Sequence, residues 1–361
     1  FWPKEFNCFE RIGHSFALGF LAFVLQAQLG YIAHFPISFL FGLSWINVSI
    51  CFIFLICKIS SYQTNFSLTG HTSPRYPLIR IFVFVLIISV CGFFISLGSE
   101  WYPRGDAAIH LQAIRKIISY SNVEQPQYSL LGRPVIWDHA FDSYYYLIAF
   151  FHFVTKLSLT VIWHYATAVL ALFLPFSMYF FTRSLTKSNR CILLTILLFG
   201  IIAMFYPVIL FGTVYDALVY PNRLYLWLLF LPTLGFAFRF LRVGEKKALF
   251  IVGFLATAQL AIHGNGFLFF YWILGGMLSI YLLNVEKKAI IRVAILMFIT
   301  LVISFPLLWL KKTYTVEFIK LASSHFWHKY YNFWYVSRNF FAFHPRLLLQ
   351  PCIILGGMVS L

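Results

Sequence analysis

The residues best placed to do chemistry stand in the stretch Glu100-Trp-Tyr-Pro-Arg104-Gly-Asp106-Ala-Ala-Ile-His110-Leu-Gln-Ala-Ile-Arg115-Lys116. Asp106 and His110 are four positions apart, so on a helix turning 100° per residue they lie side by side. A carboxylate next to an imidazole, with Arg104 close by, has the makings of a general base with a cationic partner. Pro103 and Gly105 break whatever helix precedes them and predict that Asp106 starts a new one. Its apolar face would carry Ala107, Leu111, Ile114 and Ile118. The same letters also describe an ordinary helix cap, since Gly-Asp ahead of an amphipathic run is a common start. On the sequence both readings stay open.

Further polar positions fall in three other places. In Gly212-Thr-Val-Tyr-Asp216-Ala-Leu-Val-Tyr220-Pro-Asn-Arg223, Asp216 could orient an acceptor hydroxyl while Arg223 contacts a phosphate as a forked donor. Alternatively, Asp216 caps a turn and Arg223 snorkels. In Ala261-Ile-His263-Gly-Asn265-Gly266, His263 and Asn265 offer donors to a sugar or pyrophosphate, or the glycines simply make a tight turn. From Lys311 to Arg346, Lys320, His325, His328, Lys329 and Arg338 alternate with Phe326, Trp327, Tyr330, Tyr331, Phe333, Trp334 and Tyr335. That mixture suits an interfacial aromatic belt or the binding of a lipid-borne phosphate. His325 and His328 lack a third ligand, so zinc is not expected there. His14, His34, His152 and His164 show no paired pattern and read as packed or interfacial side chains.

The elements that must hold these residues follow from composition. Of 361 residues 61% are hydrophobic and only 11% charged, which excludes an ordinary soluble domain and a disordered chain. An α-helix needs about 20 apolar residues to cross a bilayer. Apolar runs at 14 to 34, 37 to 57, 79 to 98, 160 to 182, 191 to 211, 223 to 241, 248 to 263, 267 to 284, 289 to 310 and 347 to 361 predict about ten transmembrane helices. The expected fold is an all-α polytopic membrane protein with a long first extracytoplasmic loop. The chain opens on Phe1 and stops at Leu361 inside an apolar run, so it is expected to be incomplete at both ends. Six cysteines without C-x-x-C spacing say little about redox compartment.

Sidedness follows from the basic residues, because Lys and Arg accumulate in cytoplasmic loops. Lys58/Arg75/Arg80, Arg183/Lys187/Arg190, Arg239/Arg242/Lys246/Lys247 and Lys287/Lys288/Arg292 share one side only if the apolar segment Ser143 to Ser158 does not cross. With three adjacent tyrosines, that segment is expected to be a helix lying at the outer interface. Glu100, Asp106, Glu124, Asp138, Asp142, Asp216 and Glu317 then lie outside, seven of the eleven acids. The net charge of +16 belongs to scattered groups between apolar spans, which excludes a nucleic-acid stripe.

A span, then an aromatic and proline-bearing segment, then Gly-Asp-x-x-x-His opening an amphipathic helix, then Trp137-Asp-His-Ala-Phe-Asp142-Ser-Tyr-Tyr-Tyr-Leu147, resembles the C-type (GT-C) membrane glycosyltransferases. The resemblance covers roughly residues 79 to 310. It leaves 1 to 78 as two N-terminal spans with a basic loop, and 311 to 361 as an external segment leading into a further span. It implies two juxtamembrane helices in the first external loop, the second over 143 to 158, and a catalytic aspartate at Asp106. It also implies a polyprenyl-phosphate-linked sugar as donor, with a glycan, lipid or protein acceptor and a bacterial inner membrane as setting. Supporting carboxylates would come from Glu100, Asp138, Asp142 or Asp216, with His110 beside Asp106. The phosphate would fall to Arg104, Arg115, Arg133, Arg223, His263 and Asn265. Asp106 is followed by Ala107 where the family often has a second acid, and two spans precede the loop-bearing one, so subfamily and any divalent metal are left open. The other readings are a non-catalytic subunit or transporter, and a lipid-linked glycan polymerase or ligase.

Overall fold

A computed structural model describes residues 8–33, 35–64, 75–97, 106–120, 143–205, 221–262 and 264–322. These residues form twelve helices: α1 Cys8–Ala33, α2 Ile37–Thr64, α3 Arg75–Leu97, α4 Asp106–Tyr120, α5 Ser143–Thr155, α6 Leu159–Ala171, α7 Leu174–Leu185, α8 Asn189–Phe205, α9 Pro221–Val243, α10 Lys246–Ile262, α11 Gly264–Leu283 and α12 Lys287–Ala322. Among the described residues there is no β-sheet. With so little water to receive backbone donors and acceptors, helices are the economical way to satisfy them.

Nine of the ten apolar runs carry a helix, and the tenth, 347 to 361, lies outside the described residues. Among the described residues, five stretches are long and apolar enough to cross a membrane: Phe9–Gly30, Leu159–Leu185, Leu224–Val243, Gly266–Leu283 and Lys287–Trp309. The second of these joins α6 and α7 end to end. Its break at residues 172–173 precedes Pro175, whose missing N–H is harmless only in the first turn of a helix. Helix α12 runs through Lys311 and Lys312 to Ala322, where the sequence suggested a stop near residue 310. Its 36 residues measure about 54 Å at 1.5 Å each, longer than the hydrocarbon layer.

Helix α9 is the axis of the bundle, packed along α7 and α10. In its apolar window 83% of residues are buried, against 28% for α12, whose Ile295, Phe298, Val302 and Phe305 face outward as lipid-contacting residues do. Helix α1 approaches α7 so closely that a Cβ on Gly13 would lie 2.2 Å from the Phe176 carbonyl oxygen. Ser177 Oγ donates to the Gly13 carbonyl across that contact at 2.8 Å. Small residues that let two backbones meet are the usual means of helix association in lipid, where apolar burial alone gives little. The His14 ring packs beside this junction, 4.7 Å from Phe180 and 5.4 Å from Phe236. Polar pairs join the later helices: Gln259 Nε2 donates to Thr233 Oγ1 at 2.6 Å between α10 and α9. Thr257 and Ser304 meet at 2.8 Å between α10 and α12, and Tyr271 and Thr300 at 2.7 Å between α11 and α12.

Candidate functional site

Helix α4, described over Asp106–Tyr120, packs on α5, and the Pro103 and Gly105 expected to break the chain ahead of it lie outside the described residues. Helix α5 has 13 residues, about 20 Å, and α4 has 15, so neither spans about 30 Å of hydrocarbon. Ser143 to Phe150 are all buried, and Tyr144, Tyr145 and Tyr146 are wholly enclosed by protein. Successive residues on a helix point 100° apart, so the three tyrosines address three different neighbours.

Tyr146 reaches α2, donating to the Leu40 carbonyl at 2.7 Å and hydrogen-bonding the Ser44 hydroxyl. Burial pushes its phenol up to about 12, so it stays a neutral donor. Tyr145 reaches α4, where its hydroxyl and His110 Nδ1 are hydrogen-bonded at 2.5 Å. Tyr144 packs against Trp163 of α6 at 5.7 Å and Tyr225 of α9 at 5.8 Å. Trp163 in turn stacks on the His110 ring at 5.7 Å and 25°. Ser143, at the start of α5, accepts from Gln28 Nε2 of α1 at 2.7 Å. Each hydroxyl that burial strips of water thus acquires a protein partner or an aromatic wall.

This enclosure rotates α4 relative to expectation. Its inner face is centred on His110, Ile114 and Ile117, with Leu111 also buried and Ile118 only half-buried. His110 is 2% exposed, so it sits inside the aromatic wall and not at the helix edge. Arg115, expected to meet a phosphate, is exposed, while its neighbour Lys116 is 4% exposed. Lys116 has no hydrogen-bond or ion-pair partner among the described residues, and burial pushes its ammonium below the ordinary lysine value. Its ammonium is not among the buried polar atoms that lack a partner, so the stem is enclosed while the charge keeps contact with solvent.

Other expected site residues are reached only in part. Asp106, Arg223 and Asn265 lie in the first turns of α4, α9 and α11, with only their backbone described. Glu100, Arg104, Arg133, Asp138, Asp142, Asp216 and His263 lie outside the described residues, as do His325 and His328. One turn before His263, Gln259 is fully buried, and its Oε1 accepts no hydrogen bond among the described residues. That oxygen lies beside Gly266, where an added Cβ would come within 3.3 Å of it. Among the described residues, no three His, Cys, Asp or Glu side chains gather as metal ligands. Tyr145, Lys116 and Gln259 were missed because the sequence supplies an interface-like tyrosine run, two adjacent basic letters and a lone amide inside an apolar helix. Which of them faces inward depends on neighbours far away in the chain.

Comparison with protein-family models, with curated proteins and with solved structures finds no match to this chain.

Proposed function

We propose that the chain is a GT-C-like membrane glycosyltransferase that moves a sugar from a polyprenyl-phosphate carrier to an acceptor hydroxyl on the extracytoplasmic side. The bacterial inner membrane is the setting we assign it. What supports this reading most is a single arrangement: a short helix that carries Asp106 in its first turn, packed on a second short helix, with an enclosed Lys116, without a partner among the described residues, nearly three turns further on. A carboxylate at one end and an uncompensated cation along the same helix fit a reaction that removes a proton and releases a phosphate.

In this mechanism Asp106 takes the proton of the acceptor hydroxyl as its oxygen attacks the anomeric carbon. The bond from that carbon to the phosphate oxygen breaks, and polyprenyl phosphate leaves with the electron pair. Lys116 assumes the anion-neutralising role that the sequence suggested for Arg115. Asp138 and Asp142 remain proposals for orienting the acceptor, as do Glu100 and Asp216. Arg104, Arg133 and Arg223 remain proposals for the phosphate, together with His263 and Asn265. His110, held by Tyr145 and Trp163, fixes the turn of α4 that follows Asp106. A divalent metal stays open.

The test is transfer from a polyprenyl-phosphate-linked sugar by purified protein in nanodiscs. Asp106→Asn abolishes product while leaving the thermal transition of the bundle unchanged. Turnover equal to wild type in that variant would remove the catalytic assignment and leave Asp106 as a helix cap.

A further inference from the structure

Away from α4 and α5, three short turns meet at one end of the bundle: residues 186–188 between α7 and α8, 244–245 between α9 and α10, and 284–286 between α11 and α12. Arginines tie them together. Arg242 Nη1 donates to the carbonyls of Ser184 and Leu185, at 3.0 and 3.3 Å, linking the first turn to the second. Arg292 Nη1 donates to Leu241 and Arg242 carbonyls, at 2.7 and 3.0 Å, linking the second to the third. It passes beneath Gly244, whose positive φ of 80° suits glycine and where a Cβ would lie 3.2 Å from the guanidinium. Arg183 donates to the Lys187 carbonyl at 2.7 Å, and Arg239 is paired with Glu245 at 2.5 Å. The last turn carbonyls of α7 and α9 are thereby satisfied, as helix C-termini require.

Those contacts account for four arginines and one of the two acids near the turns. Six exposed cations remain: Lys187, Arg190, Lys246, Lys247, Lys287 and Lys288. None has a hydrogen-bond or ion-pair partner for its side chain among the described residues. Beside them stand exposed apolar residues that a water-facing surface would not favour: Val243, Leu282, Leu283 and Val285, with Leu283 84% exposed. Cations set among apolar side chains at the end of a membrane bundle match one environment, the layer where lipid phosphates meet the first acyl carbons.

We infer that these three turns form a selective binding surface for anionic phospholipid headgroups, with the lysines on the phosphates and Val243, Leu283 and Val285 dipping below them. This inference is independent of the proposed glycosyl transfer. The full chain is purified in detergent and offered phosphatidylglycerol and phosphatidylcholine in equal amounts, and retained lipid is measured by native mass spectrometry. Wild type is expected to enrich phosphatidylglycerol by about tenfold or more, because each lysine near an anionic surface adds to the attraction. Replacing Lys246, Lys247, Lys287 and Lys288 with glutamine removes that preference, while the fourfold arginine variant keeps it. Leu283→Ser with Val285→Ser weakens lipid retention, and millimolar inorganic phosphate does not displace the lipid from wild type. Equal retention of both lipids by wild type, an undiminished preference in the glutamine variant, or displacement by phosphate alone would overturn the inference.

Discussion

The junction of α1, α7 and α9 and the corner formed by α4 and α5 are both tightly buried, yet they are held by different forces. At the junction Gly13 lets two backbones touch, and Gly235 leaves room for the Phe180 ring, which would lie 2.6 Å from an added Cβ. Sterics decide that contact, and one hydrogen bond from Ser177 fixes its register. At the corner polar groups decide: Gln28 with Ser143, His110 with Tyr145, and Tyr146 with Leu40 and Ser44. The junction rests on a backbone contact, whereas the corner encloses Lys116, 4% exposed and without a hydrogen-bond or ion-pair partner among the described residues. Stability alone explains the first region. The second holds a cation that an anion could reach, which is why the proposed donor contact is placed there.

That contrast can be broken experimentally in four ways, beginning with the largest effect. Asp106→Asn should lower glycosyl transfer by about 100-fold to 10,000-fold, the usual worth of a general base, with an unchanged unfolding transition. Gly13→Ala should do the reverse, costing roughly 1–3 kcal/mol of stability because α1 and α7 must separate. Thermal unfolding in detergent reads this cost, and loss of donor binding with no loss of stability would contradict the division. Lys116→Met should raise the KM for the lipid donor about 10-fold to 100-fold, the equivalent of one charge-assisted hydrogen bond, without lowering stability at neutral pH. Tyr145→Phe should cost roughly 1–2 kcal/mol by removing the buried hydrogen bond between its hydroxyl and His110 Nδ1, which a chemical unfolding series measures.

Lys116 also gives the corner a pH signature. Burial lowers the pKa of its ammonium in the folded chain below the ordinary 10.5. The unfolded chain therefore binds more protons between those two values, and stability rises with pH through that window. Below the lowered value the full cost is present. Wild type should gain stability on moving up through the window, and Lys116→Met should show no such gain.

Much of this architecture was legible from local letters. Helix α4 is described from Asp106 onward, next to the Pro103 and Gly105 that predict a break, and α5 is described over 13 residues, fewer than a span needs. Arg242 and Arg292 bring three of the four basic groups to one end of the bundle, as the distribution of charge required. The rotation of α4 was not legible. A hydrophobic pattern counts His110 as polar and directs it outward, but Tyr145 and Trp163 give the imidazole a better partner inside than water would. For the same reason the tyrosine run, which resembles a boundary belt, lies within the protein.

By itself the sequence determined the solvent, because 11% charge in 361 residues leaves too little polar surface for a water-soluble fold. It also placed a helix on nine of the ten apolar runs, although Lys311 and Lys312 did not end α12 and the run 160 to 182 holds two helices. Only the tertiary structure decided which polar residues face one another. His110 and Tyr145 are 35 positions apart, and Gln28 and Ser143 are 115 apart. No local pattern encodes such meetings, because they depend on the packing angles of whole helices.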